Sequence, residues 1–231
     1  MLDNTDNTPL TVEESYASAA GASNLRVDAQ RRTPADMVIA AGMNPHRTGL
    51  ALIRLMSEWD SSARPKPMEP KAIEQLADSY PRLKNGLVLH GGKEVIPLVR
   101  AKREAERWHA HELGLLFQRL KSLPTVRAAL VHWAADKGIE GPEHVASAVL
   151  QWWLHQTCPA CEGARFRIIK GTGRTGSKAC QACRGSGDRS LPHGHDGRLV
   201  LGHINACRVA AKHGLGDKFN HQRLNSGPKH A

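Results

Sequence analysis

Two closely spaced cysteine pairs constrain this chain more than any other feature of its sequence. Each pair encloses two residues, and 18 residues separate the pairs, which are Cys158 with Cys161 and Cys180 with Cys183. A two-residue gap lets one tight turn direct both thiolates at a single ion, and a hairpin can return the second pair to complete a tetrahedron. Gly163 and Gly185 each follow a pair by two positions, where a positive φ is expected. The spacing predicts one structural zinc ion with four sulfur ligands and no open coordination position.

The cellular setting bears on this prediction, because cysteine pairs also form disulfides and catalytic redox centres. The N-terminus lacks the basic start and apolar stretch of a signal peptide, and no apolar run reaches membrane-spanning length. We therefore expect a cytoplasmic protein without a membrane partner, in which paired cysteines favour metal over disulfides. The fifth cysteine, Cys207, is interpreted as a small buried hydrophobic residue rather than a fifth ligand.

Charge is distributed very unevenly along the chain. Residues 156–231 hold 13 Lys and Arg against 4 Asp and Glu, whereas residues 1–155 hold 19 against 18. Nearly all of the formal charge of +10 therefore lies in the last third. Such asymmetry indicates a polyanionic partner, most commonly nucleic acid, because neutralised phosphates release condensed counterions. A basic surface that serves only solubility is the alternative.

Apolar periodicity predicts a mainly α fold: a helical bundle, then an inserted four-cysteine zinc-binding hairpin, then a helix-turn-helix-like pair. Two helices are expected at the C-terminus, over residues 198–213 and 217–224, with Gly214 ending the first of them. The predicted organisation is a flexible tail (1–32), N-terminal helices and a linker (33–68), the helical bundle (69–157), the zinc-binding module (158–187), and C-terminal basic helices with a tail (188–231).

Catalytic and nucleotide-binding patterns are weak. Residues 171–176 match GxGxxG, but they lie inside the cysteine loop without the following helix that a dinucleotide site requires. No pair of carboxylates is arranged for acid–base catalysis, and we expect neither an enzyme nor a small-molecule substrate. His203 and His221, with nearby asparagines, leave an HNH-type nuclease as a lesser alternative.

The order of the parts resembles the Q-type late-gene antitermination proteins of lambdoid bacteriophages. An apolar helix leads into Cys-x-x-Cys-x-Gly, a basic loop joins it to Cys-x-x-Cys-x-Gly-x-Gly ending at Gly187, and an Arg-x-x-Pro segment (189–192) precedes an amphipathic helix. The resemblance covers about residues 100–224. The second motif also occurs in DnaJ-type co-chaperones, but this chain has two such knuckles rather than four and no His-Pro-Asp.

This resemblance implies a non-enzymatic function in the cytoplasm of a bacterial host. Such proteins bind DNA at the phage late promoter, load onto host RNA polymerase with its sigma factor, and suppress pausing and termination. A zinc-stabilised nucleic-acid-binding regulator without antitermination activity is the alternative. The neutral helical region would then face the polymerase. The DNA-contacting residues expected on this interpretation are Arg165, Arg167, Lys170, Arg174, Lys178, Arg184, Arg189, Arg208, Lys212, Lys218, Asn220, Gln222 and Arg223.

Overall fold

The computed structural model describes residues 10–23, 25, 33–168 and 174–225, with side chains as far as residue 217 except that of Ile168. Within these ranges the fold is mainly helical, as predicted. The helices are α1 (Val12–Gly21), α2 (Pro34–Gly42), α3 (Arg47–Ser61), α4 (Pro70–Asp78), α5 (Pro97–Arg119), α6 (Leu123–Asp136), α7 (Pro142–Leu154) and α8 (Gly194–Asn225). Two antiparallel hairpins complete the described structure: β1 (Val88–His90) with β2 (Lys93–Val95), and β3 (Phe166–Ile168) with β4 (Thr175–Ala179).

The chain divides into two compact units, and the predicted bundle over residues 69–157 is shared between them. The smaller unit, Ser61–Lys121, holds α4, the β1–β2 hairpin and α5. The larger unit joins Met1–Asp60 to Ser122–Ala231 and contains the other helices and the cysteine hairpin. In the smaller unit, Gly91 and Gly92 both have positive φ and form the two-residue turn between β1 and β2.

The prediction of a flexible tail over residues 1–32 is wrong for Val12–Gly21, which forms α1. Thr11 and Glu14 make a reciprocal capping box, in which each side chain accepts a hydrogen bond from the other residue's backbone N–H. Tyr16 and Ala19 are buried against the core of the larger unit. The segment is ordered because its cap and its buried face act together.

The prediction of two C-terminal helices separated at Gly214 is also wrong, because α8 runs without a turn for 32 residues. A Cβ atom on Gly214 would lie 2.9 Å from Nδ2 of Asn44. Asn44 is fully buried, and its Nδ2 donates to the carbonyl of Ala211 at 2.9 Å. Glycine therefore stands at position 214 to admit the Asn44 side chain, not to end a helix.

Helix α8 forms the centre of the larger unit. Its buried face continues past Gly214 to Leu215, which packs with Ala211 against Leu50 and Ile53 of α3. The two helices approach so closely that a Cβ on Gly49 would lie 2.1 Å from the carbonyl oxygen of Cys207. Helices α6 and α7 pack on each other and on α8. Helix α7 ends at Leu154, shortly before the cysteine module (residues 158–187) begins.

Candidate metal centre

The fold brings the four paired cysteines together into one cluster. The Sγ atoms of Cys158, Cys161, Cys180 and Cys183 all lie within 4.8 Å of one another. The Cys161 and Cys183 sulfur atoms are 3.7 Å apart, too far for a disulfide. A tetrahedron of sulfur atoms around an ion at about 2.3 Å has an edge of about 3.8 Å, so the cluster fits a four-coordinate metal ion. Four protein ligands leave no open position, which suits a structural ion rather than a catalytic one.

The two cysteine knuckles, residues 158–165 and 180–187, are related by an approximate internal symmetry. The Cys158 N–H donates to the carbonyl of Gly187 at 2.8 Å, and the Cys180 N–H donates to the carbonyl of Arg165 at 2.9 Å. Each acceptor stands four residues after the second cysteine of the opposite knuckle, and each has a left-handed backbone, with φ of 88° at Gly187 and 68° at Arg165. Each knuckle therefore fixes the other, and both must form before either is complete.

Backbone N–H groups prepare one sulfur atom to act as a thiolate. The Gly187 N–H lies 3.3 Å from the Sγ of Cys183. Burial raises the pKa of Cys183, but the N–H groups of Gly187 and Gly185 outweigh burial and lower that pKa to about 6. Burial raises the pKa of the neighbouring Cys161 to about 11. A positive ion among the four sulfur atoms would favour the thiolate form of both.

The described part of the cysteine module has no apolar core of its own. Its buried cluster consists of Cys158, Cys161, Cys180 and Cys183. A segment this small cannot offset its loss of conformational entropy without a cross-link or a metal ion. The chemistry of the four donors therefore also supplies the energetic reason for the module to fold.

Contacts on both sides of the cysteine cluster attach the module to α7. Thr157 and Asp188 form a β-bridge, and the Arg189 N–H donates to the carbonyl of Gln156 at 2.7 Å. The Trp152 indole donates to the carbonyl of Arg189 at 2.8 Å. The residues on both sides of the module are thereby held against a packed helix, which fixes the position of both ends of the module.

Five of the predicted DNA-contacting residues lie exposed on this module. The Arg167 guanidinium donates to the Gln181 side chain at 3.1 Å, which links β3 to the second knuckle. Residues 158–187 carry six Lys and Arg against one acidic residue, Glu162. The described basic residues of the module are Arg165, Arg167, Arg174, Lys178 and Arg184; Lys170 lies outside the described residues.

Three other predicted DNA contacts are engaged within the protein. The Arg189 guanidinium donates to the carbonyl of His155. Arg208 and Lys212 both approach the carboxylate of Glu13 on α1, at 3.3 and 3.9 Å. The guanidinium of Arg208 also lies over the Trp153 ring, 5.7 Å from its centroid. These contacts give the three side chains structural roles that the sequence did not reveal.

The remaining predicted contacts lie near the end of α8. The backbone continues as helix through this segment, so the residues share one helix with Arg208 instead of forming a separate recognition helix. Their side chains lie outside the described residues, and they are Lys218, Asn220, Gln222 and Arg223.

His203 and Cys207 stand one turn apart on α8, outside the cysteine cluster. The His203 ring stacks on Trp133 with centroids 4.1 Å apart, and its Nε2 lies 3.4 Å from the Cys207 sulfur. Burial, followed by the charge of Lys137, lowers the pKa of His203, and burial raises the pKa of the half-buried Cys207. These features describe a packed, neutral pair, and they give the nuclease alternative no observation of its own.

Sequence reasoning missed one conspicuous surface residue, Phe166. Its side chain is 45% exposed, and it stands between two arginines in the sequence. The signal available in the sequence was an aromatic residue with a basic neighbour on each side, Arg165 and Arg167.

In comparisons with known proteins, no family model, no curated protein and no solved structure matches this chain. Among the residues that the structure describes, no helix is both long and apolar enough to cross a membrane.

Proposed function

We propose that this chain is a zinc-stabilised nucleic-acid-binding protein that acts as a phage late-gene transcription antitermination factor. The observation that carries the nucleic-acid part is the buried four-sulfur cluster, which forms the core of the described part of an exposed basic module. Of the metals that favour tetrahedral sulfur ligands, zinc suits an isolated four-cysteine site without redox chemistry. The ion would hold the hairpin rigid, and its basic side chains would meet phosphates.

The antitermination part rests on the order of the parts along the sequence, which resembles the Q-type proteins. On this proposal the chain works in the cytoplasm of a bacterial host and is not an enzyme. It binds late-promoter DNA through the module and the end of α8, and it contacts RNA polymerase carrying its sigma factor through the less charged helices. A zinc-stabilised regulator that binds nucleic acid without acting on a polymerase is the second candidate, favoured by the exposed basic hairpin itself.

Transcription past a terminator distinguishes these two candidates. Purified zinc-loaded protein would be added to RNA polymerase on its cognate late promoter, with a terminator placed downstream. We expect read-through to rise with the native protein and not with Cys180→Ser, which lacks one sulfur ligand. Salt-sensitive DNA binding with unchanged read-through would contradict antitermination and leave the second candidate standing.

A further inference from the structure

The β3–β4 hairpin of the cysteine module carries an uncovered aromatic ring. Phe166 is 45% exposed, whereas the tyrosine and tryptophan side chains described in the same unit are buried or half-buried. Its partner across the hairpin is Ala179, whose methyl group is too small to cover a phenyl ring. Among the described residues of the module, the buried cluster consists of cysteines, and this cluster offers no apolar core to receive the ring. Phe166 is therefore presented at the surface by the architecture of the module.

Basic residues flank this aromatic residue along both strands of the hairpin. Arg165 and Arg167 are its immediate neighbours in sequence, and Lys178 precedes its partner Ala179. All three of these basic side chains are exposed, and Arg167 is kept alongside the second knuckle by its hydrogen bond to Gln181. A lone exposed apolar residue needs no explanation, but an exposed aromatic residue flanked along the chain by exposed basic residues has the composition of a base-stacking platform.

We propose that Phe166 stacks on a base of single-stranded nucleic acid while Arg165 and Arg167 contact the adjacent phosphates. The bases of a duplex already stack on one another and present only their edges, so the phenyl face selects an unpaired strand. Either single-stranded DNA or RNA supplies this chemistry. The inference deepens the proposed function and rests on it in one respect, that the module faces nucleic acid.

Fluorescence anisotropy of the zinc-loaded full chain tests this inference. The probes would be labelled oligo-dT and oligo-rU of about 12 nucleotides, a length that single binding folds cover, and a duplex of equal length. Phe166→Ala should weaken binding of at least one single strand by roughly 5- to 160-fold, the equivalent of one lost base stack. Duplex binding should stay unchanged. The probe that loses affinity, oligo-dT or oligo-rU, shows whether the bound single strand is DNA or RNA.

Two further variants separate stacking from apolar bulk and from folding. Phe166→Trp retains an aromatic face and should bind single strands as tightly as the native chain. Phe166→Leu retains apolar bulk without a π face and should behave like Phe166→Ala. Each variant should carry one metal ion per chain, which shows that the module has folded.

The inference and the proposed function fail in different ways. Native-like binding of single strands by Phe166→Ala, or by Phe166→Leu, would overturn the stacking platform, even if read-through of the terminator were observed. Conversely, a loss of single-strand affinity in Phe166→Ala supports the platform even if the protein leaves termination unchanged. Failure of the native chain to bind any single strand also overturns the inference.

Discussion

At the scale of single residues, the two cysteine knuckles adopt the same left-handed backbone conformation with different residue types. The second knuckle uses Gly187 at a position with φ of 88°, and the first uses Arg165 at the equivalent position with φ of 68°. A non-glycine residue in the left-handed region costs roughly 1–2 kcal/mol. A Cβ on Gly187 would lie 3.2 Å from the Cγ of Arg165 and 3.2 Å from the carbonyl oxygen of Gly163, so a side chain at position 187 would be crowded. The exposed arginine is held in this strained position beside Phe166.

Removal of one sulfur ligand tests the metal site directly. We expect Cys180→Ser to lose bound zinc and the folded structure of the module, because three sulfur ligands cannot close the tetrahedron. The matched control is Cys207→Ser, which lies outside the cluster and should retain one zinc ion per chain. Elemental analysis of freshly purified, reduced protein gives the metal and its stoichiometry. Native protein that contains no metal, or iron in place of zinc, would contradict the proposed ion.

A hydrogen-bonded side-chain pair in the smaller unit makes a second prediction at this scale. The Tyr80 hydroxyl donates to the Glu104 carboxylate at 2.6 Å, and Arg100 donates to the same carboxylate. Burial, reinforced by Glu104, raises the pKa of Tyr80 to about 12. The hydrogen bonds that Tyr80 and Arg100 donate to the Glu104 carboxylate lower the pKa of Glu104. Because the folded state favours the neutral phenol, its stabilising effect is complete below about pH 10 and is lost as the pH rises through about 12.

We therefore expect Tyr80→Phe to lower the free energy of unfolding by about 1 kcal/mol at pH 8. The difference from the native chain should shrink as the pH is raised from 10 towards 12. Urea unfolding followed by circular dichroism at several pH values measures both effects. A difference that stays constant across this range would show that the hydrogen bond does not control the pKa of Tyr80.

At the scale of elements, α8 depends on glycines chosen for close approach. Gly49 admits the carbonyl of Cys207, and Gly214 admits the side chain of Asn44. Gly197 lies near the start of α8, where a Cβ would lie 1.9 Å from the carbonyl oxygen of Pro192. Three glycines thus permit contacts between α8 and three other segments, although glycine is an unfavourable residue inside a helix.

Two glycine substitutions should therefore have opposite effects on stability. Gly49→Ala places a methyl group against the backbone of α8 and should destabilise the chain by about 1–3 kcal/mol. Gly202→Ala meets nothing within 4 Å on the exposed face of α8, and it should stabilise the chain by about 0.5–1 kcal/mol through helix propensity. Thermal unfolding of both variants beside the native chain provides the comparison. Equal effects of the two substitutions would argue against the close crossing of α3 and α8.

At the scale of the whole molecule, folding brings an acidic side chain from the N-terminal part of the chain next to some of the basic residues of the last third. Glu13 lies far away in sequence, yet it pairs with Arg208 and Lys212 on α8. The cysteine module receives no comparable neutralisation from its own sequence, where Glu162 is the single acidic residue between positions 158 and 187. The module therefore keeps an excess of basic residues in its own sequence, and Arg165 and Arg167 flank Phe166 there.

The salt dependence of nucleic-acid binding should reflect this distribution. Each phosphate contact that is removed lowers the slope of log affinity against log salt by about 0.7 on a single strand and about 0.9 on a duplex. We expect Lys178→Gln to lower the slope by about the amount that corresponds to one phosphate contact. Lys71→Gln, an exposed lysine of α4 outside the module, serves as the control and should leave it unchanged. Equal slopes for the two variants would place the binding surface elsewhere.

The sequence alone determined the local features of this protein. The cysteine spacing identified the four residues that converge, and apolar periodicity gave the helical class, because both depend on neighbours within one or two turns. Tertiary structure decided which glycines are turns and which are contact points, since Gly214 and Asn44 are 170 residues apart in sequence. It also decided that α1 is ordered and that Leu199 is exposed while Val200 is buried. The physical reason is that burial, ion pairing and close approach are properties of surfaces that meet, and those surfaces come from distant parts of the chain.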